Sequence, residues 1–339
     1  MKNNKLTLFT LSILILLSFI LCSCEFPSQS KEYSKSGLYF DTVISITLYT
    51  DDSAKAEALL NESFKLCEKY EKLFSATIPE SDISQINSGC GKTIHVNEDT
   101  AFLLKKSLEY SSLSDGLFDI TVYPLTSLWD FHGESNVIPG ASLINESKNH
   151  VNYKLLHVSD DNTVNLDDEN SQIEVGGLAK GYIADCIANY LTSQNVSGAL
   201  INMGGDIKVI GCPYGKKSFT IGVNDPGNSG KALLPVYITD SSVATSGTYE
   251  RCFTVNDKLY HHILDPHTGY PCETDVTQAT VITKDSVSAD ALATICILKG
   301  SKDAASFIDN LPETEAILVT DSDEIIYSKG MNRYLSMPE

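Results

Sequence analysis

Positive charge is scarce in this chain: 25 lysines and arginines stand against 44 aspartates and glutamates, a formal net charge of −19 over 339 residues. Such a surface repels nucleic acid and anionic bilayers, so neither is expected as a partner. It repels phosphate-bearing ligands as well, and any site for one must carry its own local cation. Paired cysteines are missing too. Beyond Cys22 and Cys24, the remaining seven (Cys67, Cys90, Cys186, Cys212, Cys252, Cys272 and Cys296) are widely spaced, with no Cys-x-x-Cys among them. Neither a zinc knuckle nor a thioredoxin-like redox site is therefore supported. Cys186 and Cys296 lie in apolar stretches and read as small buried hydrophobes. Histidine is sparse, at seven, yet His261, His262 and His267 crowd into one stretch, YHHILDPHTG.

Long apolar runs are limited to Leu6–Leu21, which follows Lys2 and Lys5 in the layout of an export signal. The run falls short of the about 20 apolar residues that span a bilayer, and no basic stop-transfer cluster follows it. Its end, Leu21-Cys22-Ser23-Cys24, resembles a bacterial lipoprotein box, which implies lipidation of Cys24 and a mature chain tethered to a membrane outside the cytoplasm. An uncleaved anchor implies the same placement. Residues 1–23 are expected as signal peptide and the polar, serine-rich 24–36 as a tether. From Leu38 onward no linker, repeat or low-complexity tract occurs, so 37–339 is expected as one well-buried domain. Without the two lysines of 1–23 the net charge becomes −21.

Ile44, Ile46 and Leu48 alternate with Ser45, Thr47 and Tyr49, the period of a strand with one wet face. Leu60, Phe64, Cys67, Tyr70 and Phe74 recur at three and four, which predicts an amphipathic helix over Asp51–Phe74. Further helices are predicted over Ala101–Leu113 and Ala179–Leu191. Strand-like runs cover Gly198–Met203, Ile207–Ile210, Phe219–Val223, Leu234–Thr239, Thr277–Thr283, Ala316–Thr320 and Ile325–Tyr327. The strands cluster instead of alternating with helices, which favours an α+β fold with a largely antiparallel sheet over a doubly wound one.

Two segments carry the chemistry. In IEVGGLAKGYIAD (173–185) a strand runs into Gly176-Gly177 and a helix opens near Ala179, offering N–H groups and a positive dipole end to an anion. Lys180 is unfavourable for the dipole in a first turn, so a phosphate partner suits it; a packing glycine pair with a surface lysine is the alternative. The stretch matches neither a dinucleotide-binding fingerprint nor a P-loop. In SVSADALATICILKG (286–300), Asp290 and Thr294 share a helix face, two hard oxygens suited to Mg²⁺, although an N-terminal cap and a back-bonded threonine would look the same.

Three other segments are less specific. DGLFDITVYPLTSLWDF (115–131), with the single Trp129, can wall a planar ring or simply fill a core. NMGGDI (202–207) and VATSGTYER (243–251) read as glycine turns between strands. In YHHILDPHTG, a strand would send His261 and His262 to opposite faces, which disfavours a shared metal, and Asp265-Pro266-x-Thr268-Gly269 is turn chemistry.

Taken in order, GLFDITVYPLTSLW, GGLAKGYIAD, NMGGDI, ATSGTYER, HHILDPHTGYP and ADALAT, with SDISQIN (81–87) before them, resemble the ApbE-type flavin transferases over about Thr42–Gly300. That resemblance implies a T-fold-like α+β domain that takes FAD and Mg²⁺. Its reaction moves FMN onto a Thr or Ser hydroxyl of an acceptor flavoprotein subunit of a membrane redox complex and releases AMP. It puts metal ligands on Asp290, Thr294 and the Gly177 carbonyl. Flavin contacts fall on Leu117, Phe118, Asp119, Glu174, Lys180 and Ile263, with His262 as the functional histidine, and Asp290 or His262 as the group that activates the hydroxyl. Departures are Phe40 and Thr77 at positions that usually touch flavin, Glu174 in place of an aspartate, and Ala293 where some members are acidic. FAD hydrolysis to FMN and AMP, or flavin binding without turnover, are the competing readings.

Overall fold

The structure is a computed structural model that describes residues 31–131, 136–228 and 230–338. The signal run and Cys24 lie outside the described residues. Eight strands form the main sheet: β1 (Lys31–Tyr39), β2 (Thr42–Thr50), β3 (Gly198–Met203), β4 (Asp206–Gly211), β5 (Ser242–Gly247), β6 (Val276–Thr283), β7 (Glu315–Thr320) and β8 (Ile325–Tyr327). They lie side by side in chain order, and every neighbouring pair is antiparallel. The expected α+β class and largely antiparallel sheet are therefore met.

Helices α1 (Ser53–Phe74), α2 (Glu98–Leu113), α3 (Gly176–Ser193) and α4 (Ser286–Asp309) supply most of the helical layer. Residues of α1, α3 and α4 share one large core with Ile44, Ile46 and Leu48 of β2, all fully buried. A short hairpin, Phe219–Asn224 with Ala232–Ile238, covers the other sheet face and forms a second core with Val209, Val243, Ile282 and Ile317. Because strand side chains alternate, Val281 and Ile282 enter opposite cores, as do Leu318 and Ile317. Both faces of β6 and β7 are thus buried, so apolar residues stand side by side at Val281-Ile282 and over Ala316–Val319.

Two insertions into this meander pack against each other. One, between β2 and β3, carries residues 114–131; the other, between β5 and β6, carries the hairpin Cys252–Val255 with Lys258–His261. They join through a third core of Leu125, Trp129, Ile144, Phe253 and Leu264, in which Trp129 stacks on Phe131 and on Tyr260. Trp129 is accordingly a core residue.

Several boundaries differ from the sequence reading for identifiable reasons. β1 starts at Lys31, inside the stretch expected as a tether, because its polar residues are held by full registry with β2, not by an apolar pattern. VATSG is a strand rather than a turn, since it pairs with β4 and β6. α3 begins at Gly176, so Lys180 stands in its second turn. α4 runs on past Gly300, which adopts φ 71° and ψ 165° and kinks the helix. There the Asp275 carboxylate accepts the Ser301 N–H at 2.9 Å, restarting the helix with a cap.

Candidate active site

A cavity of about 830 Å³ opens where the β3–β4 turn, the starts of α3 and α4, the 117–122 loop and the end of the 252–261 hairpin converge. Its construction begins with glycine. A Cβ on Gly181 would stand 2.3 Å from the Ser286 carbonyl oxygen, so only glycine lets α3 cross the beginning of α4 this closely. That approach brings Asp290 against α3. The Gly181 N–H donates to Asp290 Oδ2 at 3.1 Å, and Lys180 Nζ donates to Asp290 Oδ1 at 3.1 Å.

The same ammonium pairs with Asp206 Oδ2 at 3.1 Å. Asp206 follows Gly204 and Gly205, both at positive φ, and its Oδ1 accepts the Thr245 N–H at 3.0 Å. The Thr294 hydroxyl lies 3.1 Å from Ser246 Oγ. Two carboxylates thus share one ammonium. Burial pushes Asp206 up to about 6 against the pull of Lys180. For Lys180, burial works to lower the pKa, but Asp290 and Asp206 raise it above the ordinary value and the ammonium stays charged.

The other end of the cavity is more apolar. Phe118 packs on the start of α3, where a Cβ on Gly177 would stand 2.9 Å from Phe118 Cε2. Leu117, Phe118 and Ile263 form walls. Asp119 holds the loop together: Oδ1 accepts the Thr121 N–H at 2.8 Å and its hydroxyl at 2.6 Å, and Oδ2 accepts the Tyr153 N–H at 2.7 Å. Burial nonetheless raises its pKa. Glu174 is anchored through its N–H to the Ile120 carbonyl at 2.9 Å, and burial pushes its carboxyl up to about 7 while Thr126 and Arg251 oppose.

His262 donates its backbone N–H to the Arg251 carbonyl at 3.0 Å, and its buried Nδ1 has no hydrogen-bond partner. Burial first, then the Arg251 and His261 charges, lower the imidazole to about 4, so it is neutral at pH 7. His261, on the strand before it, is buried away from the cavity lining and also lowered to about 4 by burial. In the following turn the Asp265 carboxylate accepts the His267 N–H at 2.8 Å and Gly269 takes φ 77°.

Phe40 reaches the rim from the β1–β2 turn, a two-residue connection with Phe40 at φ 53° and Asp41 at φ 56°. A bulky residue in this region is strained; the Phe40 N–H donates to Glu71 Oε1 at 2.8 Å.

The cavity therefore gathers Phe40, Leu117, Phe118, Asp119, Glu174, Gly177, Lys180, His262, Ile263, Asp290 and Thr294. Thr77 is not among them. It is exposed in the turn after α1, where its N–H donates to Ser75 Oγ at 3.1 Å, so its side chain belongs to the helix end. Asp206, Glu250 and Arg251 line the cavity without having been singled out from the sequence. An aspartate closing a glycine turn, NMGGD, was the one available signal for the first.

The polar end fits a divalent cation of the Mg²⁺ kind in its chemistry: all donors are oxygens, and the two carboxylates exceed the one ammonium by a charge. Among the described residues no group of three or more His, Cys, Asp or Glu side chains is arranged to hold a metal.

The sequence matches the ApbE family over residues 40–318. It is 30% identical over 332 residues to the FAD:protein FMN transferase of Treponema pallidum, covering 92% of each chain. It is 33% identical over 307 residues to the enzyme of the same name from Klebsiella pneumoniae, covering 89% of this chain and 93% of that one. Among solved structures, the ApbE protein of Thermotoga maritima superposes with a TM-score of 0.82 at 30% identity, over 90% of this chain and 100% of that one. The chain belongs to the ApbE family.

Proposed function

We propose that this protein is an FAD:protein FMN transferase: it moves the FMN half of FAD onto a Thr or Ser hydroxyl of an acceptor flavoprotein subunit and releases AMP. What supports the reading is one cavity with a lysine–carboxylate cluster at one end and apolar walls at the other, in a chain of this family. In the reaction the hydroxyl oxygen bonds to the FMN phosphorus, the bond from that phosphorus to the AMP phosphate oxygen breaks, and the electron pair leaves with AMP.

Lys180 holds Asp206 and Asp290 in place from α3, and Asp290, Thr294 and the Gly177 carbonyl would hold Mg²⁺. When bound there, Mg²⁺ supplies positive charge against the phosphate oxygens. Leu117, Phe118 and Ile263 exclude water from the flavin ring. Two groups can take the hydroxyl proton, Asp290 and His262; the latter is neutral and has its Nδ1 free.

Incubation of the mature chain with FAD, MgCl₂ and an acceptor subunit should yield covalent flavin on the acceptor, seen as in-gel fluorescence, with one AMP per flavin. Free FMN and AMP without labelled acceptor would make it an FAD pyrophosphatase. Unchanged FAD would make it a flavin-binding protein only.

The placement we propose is extracytoplasmic, anchored by lipid on Cys24, with the acceptors belonging to membrane redox complexes. No helix of the described residues is long and apolar enough to cross a membrane. Metabolic labelling with a radioactive fatty acid should mark the wild-type chain and not a Cys24→Ala variant; an unlabelled wild type, or an equally labelled variant, would count against the anchor.

A further inference from the structure

Only two arginines occur in the whole chain, Arg251 and Arg333. Arg333 serves the C-terminal part of the fold, where its guanidinium pairs with Glu315 at 3.1 Å. Arg251 is placed differently. It stands at the foot of the 252–261 hairpin, tied by its carbonyl to the His262 N–H, and its side chain is exposed at the cavity. Among the described residues its guanidinium makes no hydrogen bond and no ion pair.

The electrostatic setting makes that unusual. Asp206, Glu250, Asp290, Glu174, Asp119 and Asp41 line the cavity against two cations, Lys180 and Arg251. Lys180 is committed, at 3.1 Å from both Asp206 and Asp290. Arg251 is close enough for its charge to act on Glu174, Glu250 and His262, and the charge of Lys180 acts on the last two as well. Both cations therefore bear on one small volume, the second with all its donors unused. A guanidinium presents a rigid fork of N–H groups that matches phosphate oxygens two at a time.

We propose that Arg251 binds the pyrophosphate of the flavin substrate, on the phosphate that leaves with AMP. The inference rests on the transferase reading. As the hydroxyl oxygen bonds to the FMN phosphorus, its proton passes to the base and the bridging P–O bond breaks, leaving the electron pair on the AMP phosphate. That phosphate gains one negative charge in the step. Lys180 is held by the cluster around Asp290, which serves the phosphorus under attack; Arg251 is the cavity's other cation and is left for the charge that develops on the leaving phosphate.

The test compares the mature wild-type chain with Arg251→Gln and Arg251→Lys. FAD, FMN and riboflavin are titrated by flavin fluorescence and AMP by calorimetry, each with MgCl₂ and with EDTA. For Arg251→Gln, affinity for FAD and AMP should fall about tenfold or more, and that for FMN and riboflavin by less than about twofold, with the circular dichroism spectrum unchanged. Arg251→Lys should recover part of the loss, and at saturating FAD the Gln variant should keep a lowered kcat. Equal losses for riboflavin and FAD would reduce Arg251 to a structural support and overturn the proposal. A loss for FMN with none for AMP would put the contact on the wrong phosphate, and unchanged FAD affinity would remove the contact. Selective loss of FAD and AMP with an acceptor that is never labelled sinks only the transferase reading; a wild-type chain that binds no flavin sinks both.

Discussion

At one end of the cavity Lys180, Gly181, Asp206 and Asp290 satisfy one another at 3.1 Å, whereas at the other Glu174 and His262 sit without an ion pair. The difference separates two kinds of preorganisation. The lysine–carboxylate end is assembled by backbone contact: Gly181 lets α3 and α4 touch, and the contact itself aims Asp290. The more apolar end carries Glu174 and His262, whose ordinary protonation burial has displaced with no ion pair to compensate it, as Lys180 does for Asp206; ligand binding there would offset that cost. Variants at the first end should therefore break turnover or folding, and variants at the second should change affinity and pH dependence.

The largest effect is expected for Asp290→Ala. Lys180 would then face Asp206 alone, so the excess negative charge that favours a cation disappears while a neutral pair remains. Transfer with MgCl₂ should fall by about a thousandfold, since a bound cation contributes several kcal/mol to such a transition state, and riboflavin binding in EDTA should persist. A variant that keeps Mg²⁺-dependent transfer within tenfold of wild type would show that the comparison has its ends misassigned.

Next is Gly181→Ala, which tests whether the close approach builds the site. The added Cβ would collide at 2.3 Å with the backbone of Ser286, which cannot turn aside as a side chain can. Stability should drop by about 2–3 kcal/mol, read as the midpoint of urea unfolding, and transfer should fall with it as Asp290 moves away from Lys180. An unchanged midpoint would mean that the helices separate freely.

Glu174→Gln sharpens the comparison through pH. Raised from 4.5 to about 7, Glu174 contributes stability that is complete below about 4.5 and lost as pH rises through about 7. His261 and His262, lowered from 6.5 to about 4, do the opposite: their contribution is present above 6.5 and lost as pH falls through about 4. The variant removes only the first trend. Its melting temperature should exceed that of wild type most at about pH 8, and the margin should shrink towards about pH 5. A margin independent of pH would show that Glu174 is ionised in the folded chain like a surface carboxylate.

Local periodicity made much of this legible. α1, the apolar strands and the turn at Asp265 follow from spacing and turn chemistry, and Asp290 with Thr294 follows from one helical turn. What stayed hidden depends on contacts between distant segments. Lys180 and Asp290 are 110 positions apart, and Asp206 reaches them only because β3 and β4 are neighbours in the sheet. β1 has no apolar alternation to announce it; its partner strand defines it. Arg251 looked like an ordinary polar residue after a glycine turn, and only the cavity shows that its charge is uncommitted.

The smallest effect concerns two of the positions expected to touch flavin, Phe40 and Thr77. Phe40 holds a left-handed backbone at the cavity rim, with φ 53°, and asparagine tolerates that conformation better than phenylalanine. Phe40→Asn should leave stability unchanged or raise it by less than about 1 kcal/mol, because the strain is eased while the Glu71 bond to the backbone N–H survives. Removing the ring from the rim should weaken riboflavin binding about threefold to tenfold, an aromatic contact's worth. Thr77→Ala should alter neither quantity, since its hydrogen bonds close the turn with Ser75 in water. Fluorescence titration of both variants decides between them: equal weakening would bring the 75–77 turn into the flavin end, and weakening at neither would confine ring recognition to Leu117, Phe118 and Ile263.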